Sequence, residues 1–504
     1  MIRLPLLLPL LALGAAPAAA SDLPPHAMKA AAHAVAEYDD EQVELLAELV
    51  RFRTVHKEGV ANAENPEFRG FANRLREQAQ ALGLDFTDYG AVLVIGLGDA
   101  EARVGVVTHG DVQPADASKW RTPPFELDTE SEPGKLIARG AEDDKAPIAT
   151  AMYAMKAIKD LGLPLTRRIE LIVGLTEESD HAPFLEVLER YTPPEMNIGI
   201  DASYPVVVAE KGWGGTWVSF PAGASPSFEG ASVERLEGGA FMSQVPGSAT
   251  IVIRGASADM IERIRARAGG LPDGMSVDIG QRDGLLTIRA HGKAAHSSEP
   301  WNGVNAITHA AALLAGEELA PTPAGRALDF INTLVGTGIH GERFGGIAYA
   351  HPFMGPLTVN LSMVRTTDEG VSLGINTRAP AGKSAATLEA EIRAAIAAWA
   401  KERGTAPPAV RVHLAEAYLP ERPAQVAPLL AVFEHYTGIE NPKPISIGGG
   451  TFARLVPNAV NFGPAMPGVP YTGHSTHEFI TRKQMTLNLE MYTAMLAWLA
   501  GEQP

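Results

Sequence analysis

The sequence predicts an α/β fold, a mostly parallel sheet flanked by helices, with a second α+β domain inserted into it. Three observations predict it. Short, solidly apolar runs at 92–95, 104–107, 169–173 and 198–200 have the composition of strands buried on both faces. Stretches with apolar residues at helical spacing alternate with these runs. Beyond Gly212 the alternation gives way to strand-rich segments, and it returns near residue 425.

In chain order, residues 28–54 and 67–82 are rich in Ala, Leu and Glu at helical spacing and predict two helices. The strands 92–95 and 104–107 follow, then a helix at 146–161, a strand at 169–173, a helix at 182–190 and a strand at 198–200. After Gly212 come strands at 249–254, 284–290 and 371–377, with helices at 257–268, 303–316 and 384–403. The last helix is predicted at 483–500. Residues 318–358 are rich in Gly and Pro, and no periodicity assigns them. The expected organisation is a discontinuous main domain, 21–212 with 386–504, and an inserted domain at 213–385.

Residues 1–20 stand apart. Arg3 precedes an apolar run at 4–13, and Ala18-Ala19-Ala20 offers small residues for cleavage, the layout of a secretory signal peptide. The run is interrupted by Pro9 and is shorter than the roughly twenty residues that span a bilayer. A periplasmic or secreted chain with no stable membrane insertion is expected. The net charge of −17 argues against a nucleic-acid surface, which needs a positive footprint. The chain has no cysteine, so disulfides, thiol nucleophiles and thiolate ligands are excluded. A metal here is held by His, Asp and Glu.

Five polar clusters lie where strands end or helices begin: His109-Gly110-Asp111, Glu142-Asp143-Asp144-Lys145, Glu177-Glu178, Asp201, and His474 to Glu478. In an open α/β sheet, ligands bind at the carboxyl ends of strands. Taken singly, each cluster has an ordinary structural reading. A histidine after a strand is a loop residue, paired acids start helices or cap them, and Asp201 is an N-cap. Their conjunction gives two histidines and several carboxylates, the ligand set of a zinc or manganese site. Divalent cations also relieve the mutual repulsion of such carboxylates.

These motifs resemble the di-zinc exopeptidase and amidohydrolase family, which includes acetylornithine deacetylase, succinyl-diaminopimelate desuccinylase, the glutamate carboxypeptidases, carnosinase and the V-type bacterial dipeptidases. The resemblance runs from about 40 to 500 and is nearest to the V-type branch. It implies a zinc-peptidase fold with a lid domain and two divalent ions, zinc by ligand type, with manganese or cobalt fitting the same cage. It assigns His109, Asp143, Glu178, Asp201 and His474 as metal ligands, with Asp143 bridging and followed by a cis peptide to Asp144. Asp111 is implied to orient His109, and Glu177 to act as general base. In the lid, His296 of Gly292 to Ser298 is implied to stabilise the oxyanion, and Arg378 to grip the substrate carboxylate. Gly449, Gly450 and Thr451 match the glycine turn that approaches the substrate in the dipeptidase branch.

The sequence departs from the family pattern at three places. Ala146 stands for a usual Gly, His477 for a usual Asn, and Ser243 for an Asn of the lid. His477 competes with His474 as a candidate ligand. The implied activity is hydrolysis of dipeptides through a metal-bridging hydroxide, with a small peptide as partner and a monomer favoured over a dimer. An N-acyl amino acid hydrolase or a carboxypeptidase of the same family is the alternative. A catalytically silent periplasmic peptide-binding protein, or an acidic calcium-binding protein, would be of another class. The intact Glu177 opposes the first, and the two histidines oppose the second, because calcium prefers all-oxygen sites.

Overall fold

The computed structural model describes residues 23–223, 228–421 and 423–502. The expected signal peptide, 1–20, lies outside the described residues. The described residues fall into two compact units. The first takes in the described residues of 23–206, Ala424–Lys443 and 461–502, and the second takes in the described residues of Val207–Pro423 and Pro444–Val460.

In the first unit, α1 (Pro25–Leu49) begins on a proline and buries Ala27, Ala30, Ala31, Ala34, Leu45, Leu46 and Leu49. Residues 50–54, expected to prolong it, instead form a turn and a bend at 50–52 and irregular chain at 53–54. The helix α2 (Pro66–Leu82) starts where the Asn65 side chain accepts the Glu67 amide and stops at Gly83, whose φ of 68° ends a helix at no steric cost. Strands β1 (Asp85–Asp88) and β2 (Val92–Leu97) form an antiparallel hairpin. Strand β2 also pairs antiparallel with β4 (Arg168–Gly174). Strands β4, β3 (Arg103–His109) and β5 (Met196–Gly199) run parallel, with β3 in the middle. The expected α/β class holds, and the antiparallel hairpin sits at one edge. The buried α3 (Ala146–Asp160) and α4 (Arg482–Ala500) pack with α1.

The second unit is built on eight antiparallel strands: β6 (Gly212–Pro221), β7 (Ser232–Gly238), β8 (Ser248–Arg254), β9 (Ser276–Arg282), β10 (Leu285–His291), β11 (Thr358–Thr367), β12 (Gly370–Ala379) and β13 (Ala409–Leu414). Their spatial order is β9-β10-β8-β7-β11-β12-β6-β13. Its core holds Leu236, Ile251, Ile253, Ile288, Ile307, Phe330, Leu361, Ile375 and Trp399.

The bounds differ from the expected insertion of 213–385. The helix Ala385–Glu402 and β13 belong with the second unit, because β13 hydrogen-bonds along β6 and the helix buries Ile392, Ile396 and Trp399 in this core. The unassigned segment 318–358 contributes a helix at Pro323–Phe330, started by the Thr322 hydroxyl accepting the Gly325 amide. No helix of the described residues is long and apolar enough to cross a membrane.

Candidate metal centre

Strand register brings the first candidate ligands together. His109, the last residue of β3, lies opposite Gly174, the last of β4. The Gly110 amide continues the ladder to the Gly174 carbonyl at 2.8 Å, and the Ile200 amide donates to the Val107 carbonyl at 2.9 Å. Glu177, Glu178 and Asp201 therefore follow the carboxyl ends of strands adjacent to His109, where open α/β sheets place their ligands.

Asp143 comes from a kink between Gly140 and α3. The Asp143–Asp144 peptide is cis, as the family resemblance implied. The segment is held from several sides. The Glu478 carboxylate accepts the Glu142 and Asp143 amides at 3.0 and 3.1 Å, and it also pairs with Arg139. The buried Lys145 ammonium donates to the Leu49 and Phe52 carbonyls at 3.1 and 2.7 Å.

Two groups of donor atoms result: His109, Asp143 and Asp201, and Asp143, Glu178 and His474, each with atoms within 4.8 Å of one another. Asp143 belongs to both. Its Oδ1 lies 2.8 Å from His109 Nε2, and its Oδ2 lies 3.1 Å from His474 Nε2. His109 Nε2 is 3.6 Å from Asp201 Oδ1, and His474 Nε2 is 2.8 Å from Glu178 Oε1. All five residues expected as ligands therefore meet in one place.

The electrostatics suit cations. Burial, and then Asp201, hold the Glu177 carboxyl well above the usual carboxylate range. Burial pushes Asp201 to about 6. Asp144 is also held well above its ordinary value, by burial and then by Asp201. Burial opposes charge on both imidazoles, yet Asp201, Asp111 and Asp143 raise His109, and Glu178 and Asp143 raise His474. Nitrogen and oxygen donors sharing one carboxylate are the chemistry that divalent ions need, and the residues present fit them.

The remaining expected residues are placed as follows. Asp111 is buried, but its carboxylate accepts the Glu177 and Glu178 amides at 3.1 and 2.9 Å. The close contact to His109 Nδ1, 2.9 Å, comes from the Asp111 carbonyl, while the nearer carboxylate oxygen is 3.6 Å away. The expected orientation of the imidazole is therefore made mainly by backbone, and the carboxylate fixes the Glu177-Glu178 turn. His477 stands outside both donor groups, with its Nε2 3.2 Å from Glu132.

His296, Arg378, Gly449, Gly450 and Thr451 lie in the second unit. His296 Nδ1 is 2.6 Å from the Ser298 hydroxyl, and Ser243 accepts the Ser297 amide through its carbonyl at 2.9 Å. Arg378 is buried on β12 and donates to Asn376 Oδ1 at 3.1 Å and to the Gly448 carbonyl at 2.9 Å. Burial, and then Arg454, hold its pKa below the usual value, a bias that an incoming carboxylate relieves. A Cβ on Gly448 would lie 2.7 Å from the Ser298 carbonyl, so glycine is required there. A Cβ on Gly450 would lie 3.0 Å from the Arg454 guanidinium, whereas Gly449 meets nothing closer than 3.7 Å. Thr451 holds the turn, since its amide and hydroxyl donate to Glu210 at 3.1 and 2.8 Å.

Sequence reasoning missed several residues. Gln113 donates to Glu178 Oε2 at 2.8 Å. Glu142 accepts from the Thr472 amide and hydroxyl at 2.6 Å and from the Gly473 amide at 3.1 Å, which pins the loop before His474. Tyr471 donates its hydroxyl to Asp143 Oδ2. Glu142 sits within a recognised motif and Gln113 lies two residues beyond Asp111, but nothing in the sequence marks Tyr471.

Comparison with known proteins agrees with this geometry. Residues 105–498 match the profile of Peptidase family M20/M25/M40. A relative from Bacillus subtilis (strain 168), "Putative dipeptidase YtjP", is 30% identical over 416 residues, covering 80% of this chain and 84% of the relative. The structure is similar to human carnosine dipeptidase 1, with a TM-score of 0.56, 15% identity, and coverage of 94% of this chain and 98% of that one. It is also similar to the M20 family metallo-carboxypeptidase Sso-CP2 of Sulfolobus solfataricus, with a TM-score of 0.54, 14% identity, and coverage of 91% and 99%. A family match across most of the chain, together with a donor set that suits metal ions, makes this protein a metallopeptidase of family M20/M25/M40.

Proposed function

We propose that the protein is an exported dipeptidase that works with two divalent ions, zinc by ligand type. The observation that carries the two-ion reading is Asp143, which presents one oxygen to His109 and the other to His474. Dipeptides are favoured by the 30% identical relative, whose name is that of a dipeptidase, and by the buried Arg378, a fork suited to a free carboxylate. Export rests on the N-terminal sequence pattern alone.

His109 and Asp201 would hold one ion, Glu178 and His474 the other, and Asp143 would bridge them. Bound ions would supply Lewis acidity at the scissile carbonyl and make water a better nucleophile. The chain's own residues do the rest. Glu177 takes a proton from the attacking water and returns it to the leaving amine. Asp111 keeps Glu177 and Glu178 in place through their amides. The family resemblance implies that His296 stabilises the developing oxyanion and that Arg378 grips the C-terminal carboxylate.

A panel of dipeptides, tripeptides and N-acylated amino acids, assayed with the metal-loaded protein, tests this function. Turnover confined to dipeptides is expected. Turnover only of N-acylated amino acids, or release of single residues from the C-terminus of longer peptides, would replace the dipeptidase reading with an acylase or a carboxypeptidase.

A further inference from the structure

The loop from Tyr471 to His474 delivers two side chains to the same carboxylate oxygen. His474 Nε2 is 3.1 Å from Asp143 Oδ2, and the Tyr471 hydroxyl donates to that oxygen. The arrangement is built from several contacts. Glu142 pins Thr472 and Gly473 by three hydrogen bonds. Gly473 leaves room for the tyrosine, since a Cβ there would lie 2.1 Å from its hydroxyl oxygen and 2.2 Å from Cζ. His474 takes a φ of 62°, which turns the chain sharply after the glycine. Tyr471 is 51% exposed although its hydroxyl reaches the donor cluster, so its ring borders the solvent side of the centre.

We propose that Tyr471 is a further catalytic residue, whose hydroxyl donates a hydrogen bond to the oxyanion formed as the scissile carbonyl becomes tetrahedral. The inference rests on the di-metal peptidase reading above. A phenol has one proton to donate. With a divalent ion held by Asp143, that carboxylate would compete less for the phenol proton, and the growing negative charge on the substrate oxygen would be the stronger acceptor. No bond is made or broken at Tyr471, and its proton stays on the phenol oxygen. The contribution grows with the charge, so it favours the transition state over the bound peptide.

The test is Tyr471→Phe, which keeps the ring and its packing on Gly473. Three quantities are compared with wild type: metal per chain, kcat and KM on a dipeptide, and the affinity of a phosphinic dipeptide analogue that mimics the tetrahedral species. The inference expects unchanged metal, KM within about twofold, kcat lower by about 10²-fold, and a parallel loss of phosphinate affinity. Unchanged kcat and phosphinate affinity would overturn it. So would a loss of metal that accounts for the whole loss of turnover, because Tyr471 would then only position Asp143. If wild type turns over only N-acylated amino acids or longer peptides, the dipeptidase reading fails. The ratio of wild type to Tyr471→Phe on those substrates still decides the role of the hydroxyl.

Discussion

The Glu478 carboxylate accepts the backbone amide of Asp143 at 3.1 Å, across 335 residues of sequence. The same side chain takes the Glu142 amide and the guanidinium of the buried Arg139. A residue four positions after the candidate ligand His474 therefore fixes the backbone of the carboxylate that both donor groups share.

Glu478→Ala leaves two backbone amides without their acceptor and the buried Arg139 guanidinium without its carboxylate, with only the Ser475 carbonyl remaining. Each orphaned buried donor costs about 1–3 kcal/mol, and the unpaired charge costs more. Denaturant unfolding is expected to show a loss of at least about 3 kcal/mol, and the purified variant is expected to carry less metal. Wild-type stability with full metal content would show that the kink holds itself.

Gly473→Ala forces a Cβ onto the Tyr471 ring. Such overpacking typically costs about 1–3 kcal/mol. The cost should vanish in a Tyr471→Ala background, so a double-mutant cycle of thermal stability is expected to show strong coupling. Additive effects would mean that the loop accommodates the methyl by some other movement.

Chelation should abolish turnover and lower the melting temperature together. An ion that binds only the folded chain stabilises it by about 2.7 kcal/mol when present at a hundredfold excess over its Kd. It also offsets the burial, and then the repulsion between carboxylates, that lift Glu177, Asp144 and Asp201 above the usual carboxylate range. Titrating zinc, manganese or cobalt back into the stripped protein is expected to restore both quantities in parallel. Activity that survives thorough stripping would contradict the role given to the donor groups.

Arg378→Lys replaces a planar fork by a point charge at a buried site. Losing one charge-assisted hydrogen bond is worth about 1.5–3 kcal/mol, so kcat/KM on free dipeptides should fall by roughly 10- to 100-fold. C-terminally amidated dipeptides, which lack the carboxylate, should respond little to the substitution. Equal losses on both substrates would assign Arg378 to the architecture of β12 instead.

Sequence made the candidate metal ligands legible because few side chains bind hard or borderline cations, and His109, Glu178 and Asp201 each follow a solidly apolar strand. The sheet itself was legible for the same reason. The inserted unit was less so. Strand β6 carries Gly212, Gly214 and Gly215, and β13 buries no residue completely, so neither has the apolar run that announced the others. That is why the second unit extends past 385, through β13, beyond the expected bound. Tyr471 escaped notice because one aromatic in an irregular loop has no periodicity, and its meaning comes from Gly473 and Glu142 beside it. The distinction between the carbonyl and the carboxylate of Asp111 is a matter of geometry that residue identity does not encode.

The most direct measurement is metal content alongside dipeptide turnover for Glu177→Gln. Glu177 belongs to neither donor group, yet it follows Asp111-held backbone beside Glu178. About two divalent ions per chain are expected in both proteins, with kcat in the variant reduced by at least about 10²-fold. A variant that keeps its ions and turns over dipeptides at the wild-type rate would contradict Glu177 as the proton carrier. A wild-type protein that binds no divalent ion would contradict the centre itself.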